Sequence, residues 1–357
     1  DLIGLHGTDP ASVFLAAAAR MKKPTVEGIE RALYDDRTIV RMLAMRRTMF
    51  VVPTGLVPMV QAAASNAVAA RERKRLVQWI EASGLAANGA RWLRAAEAAA
   101  LEALRTHGAG TAAELAGHAP VLREQIRVGG GKWETTQSVG ARVLLVLAAE
   151  GQIARGRPRG SWISTQHRWE LMDAWLPNGV PEMSVDEARI ELATRWLRAF
   201  GPATVADVQW WTGWTLGETR KVIERLAVTQ VDLDGANGIA LADDLDSSRR
   251  PKPWVALLPA LDPTVMGWTA RDWYLGEHRL ALFDRSGNAG PTVWWDGRIV
   301  GGWAQRASGE IVSRLLEDVG KDVAGAIEAE AERLEAWLGS RRLIPRFRTP
   351  LERELVS

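Results

Sequence analysis

One pattern recurs three times along this chain and restricts its fold more than any other feature. A Thr precedes an amphipathic helix, a short turn and a second helix follow, and two β-like stretches close the unit. The second copy is the clearest. Its apolar spacing predicts a helix over Arg91–Thr106, a break at Gly108-Ala109-Gly110, and a new helix started by Thr111 with Glu114 three residues on. That pair is a capping box, in which side chains satisfy two orphan helix donors reciprocally. After a Gly-rich interruption at Gly129-Gly130-Gly131-Lys132, a further helix is expected over Ser138–Glu150, ended by Gly151. Gln152–Ile163 then reads as strand, turn and strand, with Arg155-Gly156-Arg157-Pro158-Arg159 at the tip.

The third copy places helices over Val185–Phe200, Thr204–Trp211 and Leu216–Leu226, then a hairpin from Val228 to Leu241 turning at Gly235–Gly238. Thr204 with Asp207 is a looser capping box. The first copy is partial: helices over Ala11–Met21 and Val26–Tyr34, then β-rich Thr38–Met42 and Thr48–Val52 around Ala44–Arg47. From Trp254 the character changes. Val255–Leu258, Leu280–Phe283, Thr292–Trp295 and Ile299–Trp303 are strand-like, and a helix over Val319–Leu338 precedes the basic tail Arg341–Arg348. The expectation is an α+β chain of three tandem winged-helix units (helix-turn-helix plus wing) and a small C-terminal antiparallel β-barrel. Its divisions are 1–53, truncated at its start; a helical connection at 54–90; 91–170; 184–243; and 254–357 with the C-terminal helix.

Composition narrows the chemistry. With no Cys, disulfides, thiolate metal sites and Cys nucleophiles are excluded. The five His residues show no ligand spacing, so no metal is expected, and no glycine-rich phosphate loop or Ser nucleophile elbow occurs, so no nucleotide cofactor is expected. No apolar run reaches the ~20 residues of a membrane span. A net charge of only +2 does not by itself imply nucleic acid. The clustering of Arg does more, because its fork suits phosphate and narrow grooves.

Three helix-turn-helix units in tandem, two of them with basic tips, point to double-stranded DNA. Arg46 and Arg47 at the first tip, and Arg155, Arg157 and Arg159 at the second, are candidate DNA contacts. Arg71–Arg75 reads as a solvated helix face and Arg249-Arg250-Pro251-Lys252 as a basic linker. Among 17 Trp, most read as core, whereas Trp268–Tyr274 mixes aromatics with Arg between two strand-like stretches. As an exposed loop it would let Arg271, Trp273 and Tyr274 meet bases. In Leu5–Pro10, His6 and Thr8 fall on one face if the segment is extended, and together can hold a water. Asp9 adds a carboxylate and can equally cap the helix that Pro10 starts.

Four landmarks stand in matching order: Gly4–Pro10, Met45–Pro53, Leu258–Pro263 and Asp296–Trp303. On these the chain resembles the AlkZ/YcaQ-like winged-helix DNA-binding family of alkylpurine DNA glycosylases. The resemblance implies a C-shaped fold and monofunctional hydrolysis of the N-glycosidic bond of alkylated purines, bulky genotoxin adducts or crosslinks included, in DNA repair or toxin self-resistance. It implies a cytoplasmic, nucleoid-associated monomer acting on duplex DNA without a cofactor or membrane. Family members carry Gln-apolar-Gln or Gln-apolar-Asp ahead of Asp-Pro; here His6-Gly7-Thr8 stands in its place. The catalytic set expected is therefore His6, Thr8 and Asp9. The alternative is a non-catalytic DNA-binding relative that lost the Gln residues; a protein-interaction scaffold is a third reading.

Overall fold

The computed structural model describes residues 2–129, 134–246 and 251–357. The glycine run from Gly130 through Lys132, and Arg249-Arg250 of the basic linker, lie outside the described residues. The architecture is α+β, with helices and small antiparallel sheets. The chain divides into two compact units, Asp1–Ile29 with Ala193–Ser357, and Glu30–Leu192. The division falls inside two of the expected repeats, at Ile29/Glu30 and Leu192/Ala193.

The first unit begins with β1 (Leu5–His6) and α1 (Pro10–Ala18). Asp9 starts α1 by accepting a hydrogen bond from the Ala11 N–H at 3.0 Å, and Pro10 supplies a first helical residue that needs no donor partner. Val13, Phe14 and Leu15 of α1 are buried. Just past it, Arg20 forks onto Asp262 at 2.7 and 2.8 Å and donates to Thr264 Oγ1 at 2.8 Å. The short α2 (Val26–Glu30) follows and runs into a wider turn over Arg31–Asp35.

In the second unit β2 (Ile39–Leu43) and β3 (Met49–Pro53) pair antiparallel, Leu43 opposite Met49. Arg46 and Arg47 both take left-handed φ, 53° and 61°, to make the turn between them. Next come α3 (Val57–Val60), α4 (Asn66–Ala82), α5 (Gly89–His107) and α6 (Ala112–His118). The Thr111–Glu114 capping box forms as the spacing predicts. What was expected as a mere glycine interruption is a hairpin, β4 (Gln125–Val128) with β5 (Thr135–Ser138). Then α7 (Gly140–Ala149) packs Val143, Leu144 and Leu147 into one core with Leu93 and Leu104 of α5. Only a glycine fits at 140, because a Cβ there would sit 2.7 Å from the Leu122 carbonyl oxygen. Arg73 of α4 ties that core together, donating to Glu97 of α5 and Glu150 behind α7, each at 2.7 Å. Burial still leaves the Glu97 carboxyl raised above its ordinary range, against the pull of Arg73.

The hairpin β6 (Ile153–Pro158) and β7 (His167–Leu171) corrects one expectation. Arg155 and Arg157 lie within β6 and the reversal comes after Arg159, whose N–H still bonds the Gln166 carbonyl at 2.8 Å. Gly156 and Pro158, one residue apart, read as a turn, but half-buried Arg155 lies over the Trp169 ring and keeps the chain extended.

The chain passes the division at Leu192/Ala193 within α8 (Val185–Phe200), and α9 (Val205–Thr212) and α10 (Leu216–Ile223) then lead into the hairpin β8 (Val228–Leu233) and β9 (Ala236–Leu241). Both Thr204–Asp207 and Thr215–Glu218 form capping boxes, and Gly213 ends α9 at φ 75°. After β10 (Val255–Leu258) come two helical turns, α11 (Asp272–Leu275) and α12 (Arg279–Leu282). Leu280–Leu282 is thus helical, with Phe283 making only an isolated bridge to Ala289; short apolar runs carry no period that separates helix from strand. Then β11 (Thr292–Trp295), β12 (Arg298–Gln305) and β13 (Ile311–Leu315) complete a four-stranded meander with β10. It is covered by α13 (Lys321–Leu338) and α14 (Pro350–Val356).

The Asp262 side chain is wholly buried and Arg20 about one-third exposed. Removing Arg20 leaves a buried carboxylate with backbone Thr264 N–H as its remaining donor. Arg20→Met is expected to cost about 2–4 kcal/mol, somewhat under a fully buried pair, in urea unfolding of the whole chain.

Candidate active-site segment

The segment before α1 is shaped by the buried Asp9. One carboxylate oxygen accepts from the Ala11 N–H, and the other accepts from the Arg346 N–H of the C-terminal tail, also at 3.0 Å. The Arg346 side chain returns to the Thr8 carbonyl at 3.4 Å. Two distant stretches thus meet on one carboxylate. Ala11, Ser12 and Leu15 of α1 then face Pro259, Ala260, Trp303, Leu343 and Pro345 across a narrow cleft. The indole N–H of Trp303 donates to the Leu258 carbonyl at 2.9 Å, fixing that wall. Here two of the landmark stretches, Leu258–Pro263 and Asp296–Trp303, show their purpose. One supplies Asp262 to Arg20 and the other supplies Trp303.

His6 is 8% exposed and Thr8 half-buried. The strand ends at His6 and the chain bends at Thr8 and Asp9 to enter the helix. Strand alternation therefore no longer sets the direction of the Thr8 side chain, which the bend at Thr8 and Asp9 decides instead.

The expected DNA contacts separate by exposure. Arg47 is exposed and pairs with Glu72 at 2.9 Å, while Arg46 beside it is half-buried. Arg157 is spoken for: it donates to Asp35 at 2.9 Å, lies 3.3 Å from Glu30 and covers the Tyr34 ring. Arg159 is exposed, 3.6 Å from Glu114.

The loop Trp268–Tyr274 is not the open platform expected. Arg271 is 3% exposed, donates to the Trp268 carbonyl and lies between the Trp210 and Phe283 rings. Burial lowers its proton affinity below that of an ordinary guanidinium. Tyr274 is 1% exposed and donates to the Val265 carbonyl, and burial raises its phenol pKa. Both lie in the interior and brace the loop. Trp273, 65% exposed, is its outward member, edge-on to Trp268. Asp207 clamps the loop base, accepting from the Thr269 and Ala270 N–H groups at 2.8 Å while capping α9.

Sequence reasoning missed Arg20, Asp262 and Arg346. Nothing marks Arg20 at a helix end, and Arg346 acts first through its backbone. Nor does the spacing of the His residues reveal that His107 stacks on His118 with ring centroids 3.7 Å apart. Among the described residues no group of three or more His, Asp or Glu could hold a metal ion, and no helix is long and apolar enough to cross a membrane.

Asp9→Ala strands two N–H donors and is expected to cost about 2–3 kcal/mol by urea unfolding. Asp9→Asn, with one acceptor oxygen, should fall between the two, and equal stability of all three would refute the anchoring role.

A family model for DNA glycosylase AlkZ-like proteins matches residues 1–337. The fold is similar to the solved structure of Streptomyces sahachiroi DNA glycosylase AlkZ, with a TM-score of 0.71 and 23% identity over 96% of this chain and 90% of that one. Among curated proteins no relative matches. The chain belongs to the AlkZ-like DNA glycosylase family.

Proposed function

We propose that this protein hydrolyses the N-glycosidic bond of alkylated purines in duplex DNA, using the segment His6-Gly7-Thr8-Asp9. The observation that carries the reading is the double anchoring of Asp9 within a chain whose family match spans residues 1–337. An anchored segment places polar groups without reorganisation at the moment of reaction, which is where electrostatic catalysis gains most.

The chemistry asks little more. A purine alkylated at N7 or N3 already carries positive charge and leaves without strong acid catalysis. The protein has to hold the lesion, place a water and offset the charge of an oxocarbenium-like sugar. In this reading Thr8 Oγ1 and the His6 imidazole hold the water, with His6 as its base. Asp9 is a positioning residue that also contributes fixed negative charge. The helix–turn–helix and hairpin α9–α10–β8–β9, and the tips carrying Arg46, Arg47 and Arg159, are read as winged-helix elements on the duplex. Arg155 and Arg157 stiffen the second hairpin, and Trp273 offers its ring to a base.

A second reading, a DNA-binding relative without catalysis, draws on the 8% exposure of His6. The two part on base release from duplexes carrying defined N7-alkylguanine lesions, small and bulky. Wild type is expected to leave abasic sites, with the rate falling about a hundredfold or more in His6→Ala and Thr8→Ala. Release untouched by either change removes those roles. No release from any lesion, with DNA binding kept, favours the second reading.

A further inference from the structure

A second feature of the first unit has no part in the segment described above. Between α12 and the C-terminal tail lies a groove of about 880 Å³ whose lining includes Arg279, Arg285, Arg346, Arg348 and Arg353. The chain as a whole is nearly balanced, with 45 basic residues against 43 acidic ones, and exposed arginines of the same unit such as Arg306, Arg314 and Arg333 each hold a Glu. In the groove only Arg348 has an acidic partner, Glu352 at 2.6 Å. Arg279, Arg285, Arg346 and Arg353 are exposed and, among the described residues, form no ion pair.

The one carboxylate in the lining does not neutralise them. Asp284 is folded into its own turn, accepting from the N–H groups of Ser286 and Asn288 and from the Asn288 side chain at 2.8–2.9 Å. Burial would push its carboxyl up, but these bonds prevail and hold it below the ordinary carboxylate range. The turn it builds presents Arg285 outward.

Four guanidinium groups without a counter-charge around one groove repel one another, a cost that an anion removes. Guanidinium forks bind phosphate oxygens two at a time. We infer that this groove holds the sugar-phosphate backbone of the DNA on which the proposed reaction takes place. The inference rests on that reading for the identity of the partner. The position favours DNA over an acidic peptide. Arg346 belongs to the groove and, through its own backbone and side chain, to Asp9 and Thr8 as well. A phosphate seated there lies beside the segment that would carry the chemistry. Leu280, 88% exposed at the rim, supplies an apolar surface for a deoxyribose.

The test is the salt dependence of binding to undamaged duplex DNA, which needs no base release. Arg279→Gln, Arg285→Gln and Arg353→Gln are combined in one variant. A control combines Arg306→Gln, Arg314→Gln and Arg333→Gln, with the same charge change on the same unit. Thermal unfolding of both verifies folding. The groove variant is expected to bind about tenfold or more weakly at low salt, and the slope of log K against log salt is expected to fall by about 0.9 for each phosphate no longer neutralised. The control should keep the wild-type slope. A groove variant that binds like wild type overturns the inference and leaves the glycosylase reading standing. Polyglutamate displaced from these arginines while duplex binding is unchanged overturns it too. A wild type that binds no duplex overturns both.

Discussion

The Asp9 carboxylate is the constraint on which the candidate site depends. It is buried, and each of its oxygens takes one backbone N–H, from Ala11 on one side and Arg346 on the other. Those donors are separated by most of the chain, so the N-terminal segment has a fixed path only once the C-terminal tail is in place. The Arg20–Asp262 pair repeats the device one helix later, tying the far end of α1 to the loop after β10. Together they hold α1 at both ends against the wall that Trp303 supports. The cost of leaving any of these buried polar groups unpaired is what makes the arrangement specific.

Local signals in the sequence read well where one interaction decides the structure. Helix α8 has the bounds its spacing predicts, and the boxes at Thr111 and Thr204 form because their partners lie three residues away. Reading failed where tertiary packing decides. Leu280–Phe283 is too short to show a period, so its helical turn passed for a strand. The β4–β5 hairpin was hidden because β5 (Thr135–Ser138) carries no apolar residue and β4 (Gln125–Val128) buries only Ile126 and Val128, too short a run to show its alternation. Gly156 and Pro158 suggest a turn with Arg155 and Arg157 at its tip, whereas the rings of Trp169 and Tyr34 hold those arginines along the strand.

The candidate site was half legible. Asp9 before Pro10 announced a cap, and the cap is there. Its second bond was invisible, since no spacing rule links residue 9 to residue 346. Trp268–Tyr274 shows the opposite error. Aromatics mixed with Arg suggested a surface for bases, but Arg271 and Tyr274 fill the interior and only Trp273 points out. The basic groove was illegible for the same reason as the Arg346 bond: its arginines come from two stretches that meet only in the fold.

The measurement that tests the central claim most directly is native-state hydrogen exchange at the Ala11 and Arg346 amides, in wild type and in Asp9→Ala. The account predicts protection of both in wild type and loss of both together in the variant, with the amides of α5 unchanged. An Arg346 amide that exchanges at the rate of an open tail in the wild type would contradict it, and with it the claim that one buried carboxylate holds the candidate catalytic segment in place.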